Sequence, residues 1–308
     1  MEKITVSLNP SYLCNFRCSF CYLSHEQLGS KRLLPLNVIQ GLLEEVSQYR
    51  EIETIDLYGG EPLLLPRDYF FNLISVILPY VDNINVITNL STIRDVLKHP
   101  IVNLSVSYDF HARESHEKVF ENMLKLSDEG IAFNVLTLAS REVIQMDTDE
   151  MAKAFSKIST LQYVEIKHYS NKQNNQFNVL DSEFESFVLK FIQSANKYGI
   201  KCNNEDLVFD SLNGTRNSFS DDHIYITPNG FAVLEFDLNN NEYFKHLDNF
   251  QEYLDWTETE KQRVNQNSYC QQCEYLGRCL SEHLREVKNL DNSCNGYYYL
   301  LKHFDKET

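Results

Sequence analysis

Six times between residues 4 and 199, a short apolar run gives way to a stretch whose apolar residues recur every three or four positions. The first kind of run suits a strand covered on both faces, the second a helix with one apolar stripe. The expected strands are ITVSLN (4–9), TIDLYGG (54–60), NINVITN (83–89), VNLSVSYD (102–109), IAFNVLTLA (131–139) and LQYVEIKHY (161–169). The expected helices are 36–50, 68–80, 91–99 with Ser91 as N-cap, 116–130 ending on Gly130, 147–159 with acidic residues in its first turn, and 181–199 ending on Gly199. Strands alternating with helices imply a parallel sheet with right-handed crossovers. Six units fall short of the eight of a closed barrel, so the choice lies between a partial barrel and an open doubly wound sheet.

Either architecture places its chemistry at the carboxyl ends of the strands. The unusual residues sit there: Cys14, Cys18 and Cys21 after the first strand, Gly59–Pro62 after the second, Thr88 and Asn89 after the third, and Asp109 after the fourth.

After Gly199 the rhythm changes. HIYITPNGFAVLEF (223–236) reads as a hairpin turning at Pro-Asn-Gly, followed by a Glu- and Gln-rich stretch and a second group of cysteines. This sets a boundary near residue 200, with a core domain over 1–200 and a smaller domain over 201–308. The net charge of −16 argues against a nucleic-acid partner, which would need clustered Lys and Arg. MEKITVSLNP has no signal-peptide pattern, and no run reaches the roughly 20 apolar residues of a membrane helix. A cytoplasmic protein is expected. Thiols stay reduced there, so eight cysteines in groups suggest metal or redox chemistry rather than disulfides.

Cys14, Cys18 and Cys21 are spaced C-x3-C-x2-C. Thiolates on one loop suit a soft metal. An iron–sulfur cluster with three protein ligands would keep one iron open; a zinc site would need a fourth ligand from elsewhere, such as His25. GGEP (59–62) brings two glycines that permit a close backbone approach and an acid, Glu61.

In these motifs the chain resembles the radical S-adenosylmethionine (radical SAM) superfamily, whose signature is C-x3-C-x2-C after the first strand of a partial (β/α)6 barrel. The resemblance covers roughly residues 4–200. It implies that Cys14, Cys18 and Cys21 hold a [4Fe–4S] cluster whose fourth iron chelates SAM. SAM is then cleaved to a 5′-deoxyadenosyl radical, which takes a hydrogen atom from the substrate. It further implies that Phe20 and Tyr22 pack near the adenine and that Gly59, Gly60, Glu61 and Pro62 bind the SAM amino group. Thr88 and Asn89 would lie near the ribose. Ser107 and Arg113, in SYDFHAR, would hold the ribose and carboxylate, although Phe110 stands where the family has Gly.

Cys270, Cys273, Cys279 and Cys294 form C-x2-C-x5-C-x14-C, enough for a closed site, either a zinc ribbon or a second [4Fe–4S] cluster. The spacing resembles the C-terminal SPASM extension of radical SAM enzymes that act on peptides. Glu235 stands at the G-x4-C position counted from Gly230, His283 replaces another cysteine, and the ligands of one auxiliary cluster are missing. The resemblance implies a reduced, twitch-like α+β domain with one auxiliary cluster on the four cysteines, with Glu235 and His283 as replacement ligands the alternative. Cys202 is left over: either a buried small side chain or a hydrogen donor to a substrate radical, as in some peptide epimerases.

The expected function is therefore a maturase that oxidises or cross-links a peptide or protein substrate. The alternatives are a radical SAM enzyme of a small metabolite, a peptide epimerase, and a zinc-stabilised binding module. Implied partners are an external electron donor such as flavodoxin or ferredoxin, and a separate leader-peptide recognition protein, since the first cluster cysteine is already residue 14.

Overall fold

The computed structural model describes residues 1–169, 176–215, 222–234, 243–279 and 297–306. The chain divides into two compact units, Met1–Leu126 with Asp222–Leu254, and Ser127–Asp221 with Asp255–Thr308. In chain order the first unit contributes β1 (Lys3–Leu8), α1 (His25–Gly29), α2 (Leu36–Tyr49), β2 (Glu51–Leu57), α3 (Arg67–Ile77), β3 (Ile84–Thr88), β4 (Val102–Ser107) and most of α4 (His116–Asp128). The second contributes β5 (Phe133–Ala139), α5 (Thr148–Phe155), β6 (Leu161–His168), α6 (Asp181–Lys197) and α7 (Asn203–Leu212). The chain then returns to the first unit for β7 (His223–Thr227), β8 (Gly230–Val233) and β9 (Lys245–Leu247). The boundary falls within α8 (Phe250–Gln266), and α9 (Tyr298–Asp305) closes the second unit.

In the first unit β1 pairs in parallel with β2, β2 with β3 and β3 with β4. Register is fixed by apolar pairs such as Leu8 with Leu57 and Val86 with Leu104. Val6, Leu8, Ile55, Leu57, Val86 and Val106 are fully buried. The helices bury one stripe each: Ile39, Leu43 and Val46 on α2, and Phe70, Leu73, Ile74 and Ile77 on α3. At about 1.5–3 kcal/mol per buried side chain, that stripe outweighs any difference in helix propensity along α3. In the second unit β5 and β6 are parallel, Val135 opposite Val164.

Two expectations change. The segment 91–99 is not a helix; only Asp95–Lys98 makes a single 3₁₀ turn. Ser91 does not cap it, because its hydroxyl accepts from Asn15 Nδ2 and its N–H donates to Asn89 Oδ1, while Leu90 takes a positive φ of 49°. The hairpin forms with its turn at Pro228–Asn229, but β7 joins the free edge of β1 in parallel, Val6 opposite Ile224. The hairpin thus belongs to the first compact unit, and that division does not follow a single cut near residue 200. The Glu- and Gln-rich stretch folds as α8.

Candidate functional site

The cysteine loop starts where β1 stops. Asn9 N–H donates to Ile226 O, and the chain then turns through Tyr12 into Cys14, whose N–H donates to Leu28 O of α1 at 3.0 Å. A capping box between Ser24 and Gln27 starts α1. Cys14 and Cys21 pack on the small core of Tyr12, Leu23 and Leu28. Cys21 N–H donates to Cys18 O at 3.0 Å, closing the C-x2-C turn. A local helix and its own core therefore hold the loop.

GGEP is built against this loop. Gly60 N–H donates to Ser11 O at 3.2 Å and Glu61 N–H to Leu13 O at 2.8 Å. A Cβ on Gly60 would lie 2.2 Å from Leu13 O, and one on Gly59, whose φ is +125°, 1.9 Å from Asn9 Oδ1. What these two glycines accommodate is the cysteine loop itself. Asn9 is fully buried there with neither amide atom hydrogen-bonded.

Glu61 is 3% exposed. Its Oε1 accepts from Thr88 Oγ1 at 2.5 Å and Leu63 N–H at 2.9 Å, and its Oε2 from Asn89 N–H at 2.7 Å. Burial pushes its pKa up against these three donors. The carboxylate thus ties the end of β2 to the end of β3. Pro62 opens the 3₁₀ turn that Glu61 caps. Asn89 Nδ2 then reaches back to Asn15 Oδ1 at 3.2 Å and to Cys14 Sγ at 3.7 Å.

Ser107 is the half-buried last residue of β4. Beyond it Asp109, fully buried, accepts from Arg113 Nε at 2.8 Å. Phe110, where the resemblance has glycine, adopts a positive φ of 51°. Arg113 Nη1 approaches Cys18 Sγ at 3.9 Å, and its guanidinium lies 5.3 Å over the ring of Phe20. Tyr22 stacks on Tyr243 at 4.7 Å and meets Phe244 edge-on, within an aromatic core that includes Tyr58 and Tyr225.

Burial pushes all three thiols up, Cys21 to about 11, and the Arg113 charge opposes this at each. Thiolates here need further positive charge or donors, and the donors are present: Phe16 N–H and Asn89 Nδ2 on Cys14, and Arg113 on Cys18. Among the described residues no three His, Cys, Asp or Glu side chains converge on a single metal ion. A four-iron cluster asks less, because each thiolate binds its own iron. The donor set therefore fits a cluster. Spacing revealed the cysteines and the strand-end position drew attention to Asp109, but Asn9, Asn15 and the pairing of Asp109 with Arg113 form no sequence pattern and emerge only in three dimensions.

In the second unit Cys270 is buried and interacts electrostatically with Cys273 and Cys279, and burial pushes it to about 11. Tyr275 N–H donates to Cys273 Sγ at 3.4 Å. Cys294, His283 and Glu235 lie outside the described residues. Cys202 is buried at the start of α7, its thiol 3.5 Å from Asn204 Oδ1, and burial pushes it to about 12. Asn204 in turn brackets Ile166 of β6 through both its backbone groups.

Residues 8–142 match the model of the radical SAM superfamily. The chain carries a radical SAM domain. Cys14, Cys18, Cys21, GGEP, Thr88, Asn89, Ser107 and Arg113 all fall within it. A stretch of 98 residues is 31% identical to a probable GTP 3′,8-cyclase of Thermococcus kodakarensis, covering 32% of this chain and only 30% of that protein. Among solved structures, native anSMEcpe with bound AdoMet and a Cp18Cys peptide superposes with a TM-score of 0.69 at 13% identity, over 99% of this chain and 95% of that one. Streptococcus suis SuiB bound to its precursor peptide SuiA superposes with a TM-score of 0.67 at 14% identity, over 96% and 74%. At these identities the likeness is one of fold. The parallel strands and their helices have the fold of a partial (β/α)6 barrel, with five of the six strands followed by an α-helix and β3 by a 3₁₀ turn. No helix of the described residues is long and apolar enough to cross a membrane.

Proposed function

We propose that this radical SAM enzyme holds a [4Fe–4S] cluster on Cys14, Cys18 and Cys21, binds SAM beside it, and abstracts a hydrogen atom from a peptide or protein side chain on the way to an oxidised or cross-linked product. The observation that carries the proposal is one loop of three thiols at the carboxyl end of β1, with N–H groups of Phe16, Asn89 and Arg113 directed at two of the sulfurs. When bound, the cluster and SAM supply the electron and the 5′-deoxyadenosyl radical.

The chain's own residues bind and orient. Because the Glu61 carboxylate is committed to Leu63, Thr88 and Asn89, the Gly59–Pro62 stretch would meet the SAM amino group through its backbone. Thr88, Asn89 and Ser107 would line the ribose. Arg113, neutralised on one side by Asp109, would bring its remaining N–H groups to the SAM carboxylate. Phe20 and Tyr22 would flank the adenine. Cys270, Cys273, Cys279 and Cys294 would hold an auxiliary [4Fe–4S] cluster that accepts the electron an oxidised product gives up. An external electron donor and a leader-recognition protein complete the partners of this reading.

The two peptide-bound structures, alike in fold over nearly the whole chain, support a peptide substrate. The segment related to a GTP cyclase supports a nucleotide as the second reading. The test is anaerobic reconstitution with SAM and reductant. The enzyme is offered either a mixture of synthetic peptides or GTP, and products are read by mass spectrometry. A peptide lighter by two hydrogens supports the proposal. Consumption of GTP with the peptide untouched overturns it in favour of the nucleotide reading.

A further inference from the structure

We infer that Glu185, in the middle of α6, is a positioning residue for the second cysteine set, acting through α9. The inference rests on the proposal that these cysteines hold a cluster.

Glu185 is 2% exposed, and its Oε2 accepts from Leu300 N–H at 2.6 Å, with Tyr299 N–H as a second donor. These are first-turn N–H groups of α9, which a residue beside the helix would ordinarily satisfy. Tyr297, at the N-cap, has φ 59° and ψ 45° and makes no side-chain cap bond. The cap comes instead from a carboxylate on another helix, 115 positions away in sequence. Keeping an acid where burial pushes it to about 7 is unfavourable, and an apolar residue would pack there without that cost. The feature that an apolar residue could not reproduce is the fixed N-terminus of α9.

What α9 then fixes is the cysteine segment. Tyr298 Oη donates to Glu274 Oε1 at 3.3 Å, and its ring lies 5.6 Å from that of Tyr275. Tyr275 Oη donates to Asp305 Oδ2 at 2.9 Å, while its backbone N–H donates to Cys273 Sγ. On its other side α9 sets Phe304 against Phe209 of α7 at 5.5 Å, with Leu300 and Leu301 buried. In sequence Tyr298 follows Cys294 by four positions. One helix thus receives its position from Glu185 and passes it to Cys273 through Tyr275.

The test uses the full chain with Cys14, Cys18 and Cys21 replaced by Ala, so that the C-terminal set supplies the only cluster. With Glu185 intact, anaerobic reconstitution should load about four irons per chain. A chain that loads none defeats the second-cluster reading itself, independently of Glu185. Given loading, Glu185→Ala should lose more than half of the iron, or shift the electron paramagnetic resonance spectrum and midpoint potential of what remains. Glu185→Gln should restore both, since its amide oxygen still accepts from Leu300. An alanine variant with unchanged iron, spectrum and potential overturns the inference, as does a glutamine variant that behaves like alanine. Should the alanine variant not fold, Tyr275→Phe removes the bond to Asp305 that joins the cysteine segment to α9, leaving the backbone N–H on Cys273 in place. A spectral or potential shift there supports the inference, and an unchanged spectrum overturns it.

Discussion

The carboxylate of Glu61 and the hydroxyl of Thr88 meet at 2.5 Å, joining the ends of two neighbouring parallel strands beneath the cysteine loop. Glu61 is thereby a tie within the fold as much as a residue of the SAM-binding stretch. Thr88→Val removes one donor to a buried charge and should lower stability by about 2 kcal/mol. Glu61→Gln turns one acceptor into a donor facing an N–H and should cost about 1–3 kcal/mol. Urea unfolding of the apo chain reads both. Midpoints equal to wild type would remove the tie.

Arg113 puts a cation 3.9 Å from Cys18 Sγ. Reduction adds negative charge to a cluster, which a nearby cation favours. Arg113→Gln should therefore shift the midpoint potential of the first cluster to more negative values and weaken SAM binding. Protein-film voltammetry checks the first and equilibrium binding the second. A potential that moves upward contradicts this placement of charge.

Cys202 is buried against Asn204 and its thiol is held protonated. We expect Cys202→Ala to lose about 1 kcal/mol of stability and to keep both SAM cleavage and product formation. A variant that cleaves SAM but forms no product would instead assign Cys202 as hydrogen donor and point to epimerisation.

Glu185 makes stability depend on pH in an unusual direction. Its folded value is about 7 against an ordinary 4.5, so the folded chain holds this proton more tightly than the unfolded one. Its contribution is therefore present below about pH 4.5 and is lost as pH rises through 7, by on the order of 3 kcal/mol. His168, which favours the charged form, and Asp181, which opposes it, are the charges that face it. Glu185→Gln should flatten this part of the profile and be at least as stable as wild type at pH 8. A steeper fall in the variant would contradict the assignment.

Much of this was legible in the residues. Short apolar runs and period-3.6 patterns located the strands and most helices, and cysteine spacing with GGEP pointed to one site at the strand ends. Ser91 shows where local reading stops: its side chain is a good cap, but a long-range partner, Asn15, engages it first. The pairing of β7 with β1 was hidden because an edge strand carries no mark of which edge it fills. The role of Gly59 and Gly60 became specific only when Asn9 and Leu13 were found in the space a Cβ would need. The cap from Glu185 to α9 joins residues too far apart for any periodicity to connect.

The most direct test of the account is 5′-deoxyadenosine formed from SAM under anaerobic, reducing conditions, measured with wild type and with Cys14→Ala, Cys18→Ala and Cys21→Ala. We predict that the reconstituted wild type, carrying about eight irons, forms it. Each variant should form none while keeping about four irons on the C-terminal cysteines. Persistent 5′-deoxyadenosine in the variants, or a colourless wild type that binds zinc and leaves SAM intact, would contradict the central claim.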